Sequence, residues 1–230
     1  MSDTGTSLFL FLDANAKTRD NSRMKRGLFI VIDGLGGMGK STQIELLKKR
    51  LSTDTVFTHE PGGSPRSEKI RSLLKGADGE ALDPLTDFFL FWAARSEHMA
   101  ARIKPALEGG RTVVSDRFDS STFAMQVRGE AKEDLEKFFW TCRDQTLGHF
   151  APDCYIILDA DTDLAHTRRE GRQLGEDRFD DRNDAYQQRV RNGYKEFVDH
   201  IGANAHILNV SRTPEEVDAD IWKIIEPLVG

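Results

Sequence analysis

The chain of 230 residues is 38% apolar and 30% charged, with a formal net charge of −6 and a pI near 5.6. That length and apolar fraction suffice for the buried core of one α/β domain, and no linker-like stretch divides it. The acidic balance argues against a nucleic-acid coat or a membrane-surface protein, both of which carry a basic excess, so the charge of any anionic ligand has to be met locally.

At the N-terminus, Leu8 to Leu12 is apolar but follows Asp3 rather than a basic stretch, which is not the pattern of a signal peptide. Asp3, Asp13 and Asp20 count equally against an organellar transit peptide. Residues 1–26 read as an extension: a disordered leader, an added edge strand, or the product of an upstream start, with Met24-Lys25-Arg26 just ahead of the first core strand. No apolar run approaches the roughly 18 residues that span a bilayer. Cys142 and Cys154 are too far apart for a compact metal motif and read as ordinary thiols of a reducing compartment, the cytoplasm.

The first core strand, Leu28 to Ile32, empties into Asp33 and then Gly34-x-x-x-x-Gly39-Lys40-Ser41, a phosphate-binding loop in strand-loop-helix context. Turning backbone N–H groups inward around a polyphosphate requires positive φ and close backbone approach, which Gly34, Gly36, Gly37 and Gly39 supply. Lys40 would reach the β- and γ-phosphates of ATP, and the Ser41 hydroxyl would ligate Mg²⁺. Thr42 to Leu51 is an amphipathic helix whose positive dipole end faces the anion.

A weaker strand, Thr55 to Thr58, leads to Glu60-Pro61-Gly62-Gly63-Ser64, which can continue neither helix nor sheet and is therefore a shaped loop. Arg71 lies on the short helix Ser67 to Leu74 that follows. The long helical pattern Leu85 to Leu107 carries Phe91 and Arg95 at i, i+4, presenting an aromatic face and a guanidinium on one side. A base could stack on the first and accept from the second.

Strand Thr112 to Ser115 ends in Asp116-Arg117-Phe118. An acid at a strand end beside a phosphate loop commonly holds Mg²⁺, and Arg117 offers a fork matched to a phosphate. Next comes the helix Ala131 to Leu147, with Leu135, Phe138, Phe139 and Cys142 on one side, then strand Cys154 to Leu158. Residues 168–182 hold five arginines and two glycines with no apolar face before Phe179, a mobile lid able to close over a nucleotide. Strand His206 to Val210 precedes Thr213-Pro214-Glu215-Glu216, a capping box that opens the last helix, Val217 to Leu228.

Five strands alternating with helices predict an α/β fold of the P-loop NTPase type: a five-stranded parallel sheet covered by helices on both faces, with ligands at the carboxyl ends of the strands. From Leu28 onward the ordered motifs resemble the thymidylate kinase family. These are Asp-Gly-x-Gly-Gly-x-Gly-Lys-Ser-Thr at 33–42, Glu-Pro-Gly-Gly at 60–63, Glu-Lys-Ile-Arg at 68–71, Phe-x-x-x-Arg at 91–95, Asp-Arg-Phe at 116–118 and Asp-Arg-Phe-Asp at 177–180.

The resemblance implies ATP- and Mg²⁺-dependent phosphorylation of dTMP to dTDP by a homodimer built on helix faces. By position, Phe91 stacks on thymine, Arg95 and Gln126 read its polar edge, Ser121 and Thr122 line the same wall, and Arg117 takes the dTMP phosphate. Asp33, Pro61 and Arg71 border the nucleotide as well, and Arg172 and Arg178 are the lid arginines that assist catalysis. Three positions depart from the family pattern: Gly36 replaces an acid of the loop, Met125 a tyrosine, and His59 an arginine. The residues alone leave open a kinase for another pyrimidine nucleotide, a deoxynucleoside kinase with Asp33 as base, and a nucleotide-binding protein of weakened catalysis.

Overall fold

Strand β1 (Phe29–Gly34) is sealed from solvent along its whole length, which is why Phe29 to Ile32 is an unbroken apolar run rather than an alternation. The computed structural model describes residues 26–75, 82–160 and 182–229. Around β1 it places β2 (Val56–His59), β3 (Val113–Asp116), β4 (Cys154–Asp159) and β5 (Ala205–Asn209), all parallel, in the order β2-β3-β1-β4-β5. The five expected strands are therefore present, most shifted by one or two residues. β1 sits at the centre, with Ile32 opposite Asp116 of β3 and Gly34 opposite Leu158 of β4.

Alternate residues of the strands feed two cores. Phe29 and Val31 join Val113, Tyr155 and Ile157 under α3 (Pro84–His98), α6 (Glu136–Leu147) and α7 (Asp184–Ile201). On the other face Ile30, Ile32, Val114 and Ile156 pack on Ile44 and Leu47 of α1 (Lys40–Arg50) and on Val217, Ile221 and Ile225 of α8 (Pro214–Val229). The capping box of α8 forms as expected, with the Thr213 N–H donating to Glu216 at 2.9 Å and the Glu216 N–H to Thr213 Oγ1 at 3.3 Å.

The long helix expected over Leu85 to Leu107 is instead α3, a π-helical turn Met99–Ile103, and a short α4 (Lys104–Glu108). Pro105 gives the reason: it lacks an N–H and its ring crowds the preceding turn, and the wider π winding accommodates both. The helix expected over Ala131 to Leu147 begins as a 3₁₀ turn, and Phe138, expected in its apolar face, is 40% exposed. Two helical segments lie outside the sequence expectations. One is α5 (Asp119–Thr122) with its π-helical continuation Phe123–Gly129, and the other is α7. They cross closely because both carry glycine at the contact: a Cβ on Gly193 would stand 2.9 Å from the Ala124 Cα, and one on Gly129 would stand 2.7 Å from the Tyr186 ring.

Candidate active site

The glycine-rich loop leaves the carboxyl end of β1, where Gly34 (φ 131°), Gly37 (φ 80°) and Gly39 (φ 85°) take the left-handed half of the map. Gly36 does not, so the freedom expected there is unused. At Gly34 space also excludes any side chain, since a Cβ would lie 2.2 Å from the Leu158 carbonyl oxygen. No side chain caps the N-terminus of α1 and no acid lies in its first turn, an arrangement suited to an anion. Lys40 folds over the loop, donating from Nζ to the carbonyl oxygens of Gly34 (3.0 Å) and Leu35 (2.8 Å), while Ser41 and Thr42 are exposed at the start of the helix.

Asp33, expected to border the substrate, has no exposed surface. Its Oδ1 accepts from the Gly34 N–H (2.8 Å), Ser121 (2.7 Å) and Tyr194 (2.9 Å), and its Oδ2 from Ser120 (2.6 Å). A carboxylate so fully occupied is an anchor for its neighbours. In this arrangement it turns no exposed oxygen toward a substrate or a hydroxyl to be deprotonated.

Among those neighbours is Arg117, whose Nη1 donates to the Gly34 carbonyl oxygen at 2.9 Å and to Ser121 Oγ at 3.1 Å, and lies 3.3 Å from Asp33 Oδ1. Arg117 itself has φ of 64°, an unfavourable region for a side-chain-bearing residue, of the kind that clusters at functional sites. Beside it, Asp116 Oδ1 is buried with no hydrogen-bond partner. With the Ser41 hydroxyl this gives two hard oxygen donors, which suits a cation such as Mg²⁺ that keeps most of its shell as water and phosphate oxygen. Among the described residues no cluster of three or more acidic, histidine or cysteine side chains forms a metal cage.

The Glu60–Ser64 loop folds inward. Glu60 Oε2 accepts from Arg95 Nε at 2.8 Å and Oε1 lies 3.0 Å from His98 Nδ1, whose Nε2 is 2.7 Å from Thr58 Oγ1. Arg95 also donates from Nη2 to Thr122 Oγ1 at 3.0 Å and stacks its guanidinium 4.6 Å from the Trp92 ring centre. Arg95 Nη1 and Gln126 Nε2 are buried donors without a partner. Phe91 lies one turn before Arg95 and is 9% exposed. Pro61 offers its carbonyl oxygen to Arg71 Nη1, so Arg71 closes this loop. Glu68 does the same from the helix α2 (Pro65–Leu74), accepting from the Gly63 N–H at 2.8 Å and standing 2.9 Å from His59 Nε2. Burial raises the pKa of that carboxyl, but the Gly63 N–H, His59 and Arg71 outweigh it and leave it below its ordinary value.

Arg172 and Arg178 of the expected lid, and the 1–25 stretch of the extension, lie outside the described residues. Sequence reasoning assigned Glu60 no role beyond its loop, and His98, Ser120 and Tyr194 none at all. His98 stands three residues after Arg95, on the same helix face, which was a usable signal; Tyr194 had none. A cavity of about 260 Å³ also lies between the loop and the connection after β5, lined by Gly37, Gly39, Thr42, Val210, Arg212 and Pro214.

A parallel sheet with a glycine loop at the end of its central strand, an uncapped helix behind it and a lysine folded over it defines a P-loop nucleotide-binding enzyme. The chain belongs to the thymidylate kinase family, whose model matches residues 32–221. It is 37% identical over 202 residues to the thymidylate kinase of Ruegeria pomeroyi, covering 86% of this chain and 94% of that one. To the thymidylate kinase of Ruthia magnifica it is 37% identical over 213 residues, covering 89% and 100%. The crystal structure of thymidylate kinase from Ehrlichia chaffeensis superposes with a TM-score of 0.71 at 28% identity, covering 87% of this chain and 99% of that one. The P-loop fold and the class of nucleoside monophosphate kinase, a phosphotransferase, are those of the family.

Proposed function

We propose that the protein transfers the γ-phosphoryl group of ATP to the phosphate of dTMP, releasing ADP and dTDP. The observation that carries this reading is the pair of buried, unpartnered donors Arg95 Nη1 and Gln126 Nε2. An unmet buried donor costs about 1–3 kcal/mol, a cost relieved by a ligand with carbonyl acceptors, such as the edge of a pyrimidine. Thr122 holds Arg95 and lies one helical turn before Gln126, and Phe91, one turn before Arg95, would supply the stacking face.

On the donor side the amino end of α1 and the loop N–H groups would hold the ATP phosphates, with Lys40 exchanging its carbonyl partners for phosphate oxygens. The cavity flanked by Arg212 would take the base. Mg²⁺, when bound, neutralises charge on the transferring phosphate, and Ser41 and Asp116 are the residues that would hold it. The acceptor is already an anion, so no strong base is needed, consistent with an Asp33 fully engaged in hydrogen bonds. Catalysis is then positioning and charge neutralisation by Lys40 and Arg117, aided by Arg172 and Arg178.

Leu73, Leu85, Phe89 and Phe138 are exposed on α2, α3 and α6, with the rings of Phe89 and Phe138 5.8 Å apart, and this apolar face supports a homodimer. Sedimentation equilibrium that returns a monomer at micromolar concentration would refute that assembly. The two free thiols support a cytoplasmic location, and no helix among the described residues is long and apolar enough to cross a membrane.

A coupled ADP-release assay with ATP, Mg²⁺ and a panel of dTMP, dUMP, UMP, dCMP, dGMP and thymidine tests the acceptor. Clear preference for dTMP is expected. Preference for thymidine, or no turnover with any member, would overturn the assignment.

A further inference from the structure

Helix α7 reaches into the acceptor site through one residue. Its close crossing over the segment 119–129, made possible by Gly193, delivers the next residue, Tyr194, to the carboxyl ends of β1 and β3. There the Tyr194 hydroxyl donates to Asp33 Oδ1 at 2.9 Å, lies 3.0 Å from Ser121 Oγ and stands 3.4 Å from Arg117 Nη1. The ring is 3% exposed.

Arg117 needs such support. It sits at the turn after β3 with φ of 64°, so the extended geometry of the strand does not set the direction of its side chain. Four oxygen atoms gather around its Nη1 and help to orient it: the Gly34 carbonyl, Ser121 Oγ, Asp33 Oδ1 and the Tyr194 hydroxyl. Fixing one nitrogen of a planar guanidinium fixes where the rest of the fork points. Three of these oxygens come from elements next to Arg117 in the sheet or in sequence, and the fourth comes from 77 residues away.

We propose that Tyr194 is a positioning residue that aims Arg117 at the acceptor phosphate, acting through its hydroxyl together with Asp33 and Ser121. This rests on the assignment of Arg117 to that phosphate. A merely structural hydroxyl would serve only to satisfy Asp33, but Asp33 keeps the Gly34 N–H, Ser120 and Ser121 as donors without it. Burial, and next the charge of Asp33, push the phenol well above its ordinary pKa, so it stays a neutral donor throughout the working pH range.

The test is steady-state kinetics of Tyr194→Phe, which keeps the ring and removes the hydroxyl, alongside Arg117→Lys and the double variant. Expected for Tyr194→Phe is a rise in KM for dTMP of about tenfold, the size of one hydrogen bond to a charged group, with KM for ATP unchanged. In the Arg117→Lys background the same substitution should have little further effect. Unchanged KM for dTMP in Tyr194→Phe, while Arg117→Lys raises it, would overturn the proposal. So would an equal rise in both KM values together with a lower Tm, which marks general loosening. If Arg117→Lys itself leaves KM for dTMP unaltered, it is the assignment of Arg117 that fails.

Discussion

Arg95 donates from Nε to Glu60 at 2.8 Å, and the two side chains are 1% and 4% exposed, so this ion pair lies inside the protein. Removing one partner of a buried pair strands the other charge, at a cost of about 3–5 kcal/mol. Glu60→Ala should therefore lower unfolding free energy by about 3 kcal/mol in urea titrations. It should also weaken dTMP binding, because Arg95 loses the group that orients it. An Arg95→Ala variant whose KM for dTMP equals the parent's would contradict the base-reading role.

Lys40 is held at present by two carbonyl oxygens of its own loop. Against phosphate its charge would stabilise the transferring group, so Lys40→Ala should lose several kcal/mol of transition-state stabilisation, about 10²–10³ in kcat or more. Stopped-flow or coupled assays at saturating ATP check this, and near-parental kcat would remove Lys40 from the mechanism.

Gly193 stands inside α7, where alanine would ordinarily favour the helix by about 1 kcal/mol. Here its Cβ would meet the Arg128 Cβ at 2.8 Å and the Ala124 Cα at 2.9 Å. Gly193→Ala should therefore lower Tm instead of raising it, and raise KM for dTMP more than KM for ATP as α7 is pushed off the acceptor wall. A rise in Tm would show that the crossing is looser than the geometry implies.

Alkaline stability follows from buried acids. Burial, with a contribution from Asp153, pushes the Cys154 thiol from an ordinary value near 9.0 up to about 12. Burial likewise raises the Tyr155 phenol well above 10.0. Groups with raised folded-state values stabilise fully below the unfolded pKa and lose that contribution as pH climbs to the folded one. The contribution of these two groups to unfolding free energy should thus be constant below about pH 9 and be lost beyond it, with roughly 4 kcal/mol at stake for a three-unit shift at Cys154. In native protein at pH 8 Cys154 should resist thiol reagents; rapid labelling there would contradict its burial.

The strands and the phosphate loop were legible because each is written in consecutive residues: an unbroken apolar run, then glycines at fixed spacing. α7 is written in its sequence too, since Tyr186, Val190, Tyr194 and Phe197 recur at helical spacing, but it directly follows the arginine-rich segment, whose lack of an apolar face masks where the helix begins. The segment 119–129 offers less. Its start, Asp-Ser-Ser-Thr, favours turns, and its later part winds as a π-helix, so apolar residues do not return every 3.6 positions. The site's polar wiring was the least accessible part. Glu60 meets Arg95 across 35 positions and Tyr194 meets Asp33 across 161, pairings that only the packed sheet brings about.

The strand order β2-β3-β1-β4-β5 has a further consequence. On the proposed assignment the pyrimidine-side residues hang from β2, β3 and the helices beside them, while the cavity near Arg212 is built from the loop after β1 and the connection after β5, with β1 as the watershed. Changes that re-tune which nucleotide is accepted and changes that re-tune which triphosphate is spent therefore fall on opposite flanks of the molecule. The watershed strand, fully buried and bound on both edges, is where substitution should be least tolerated.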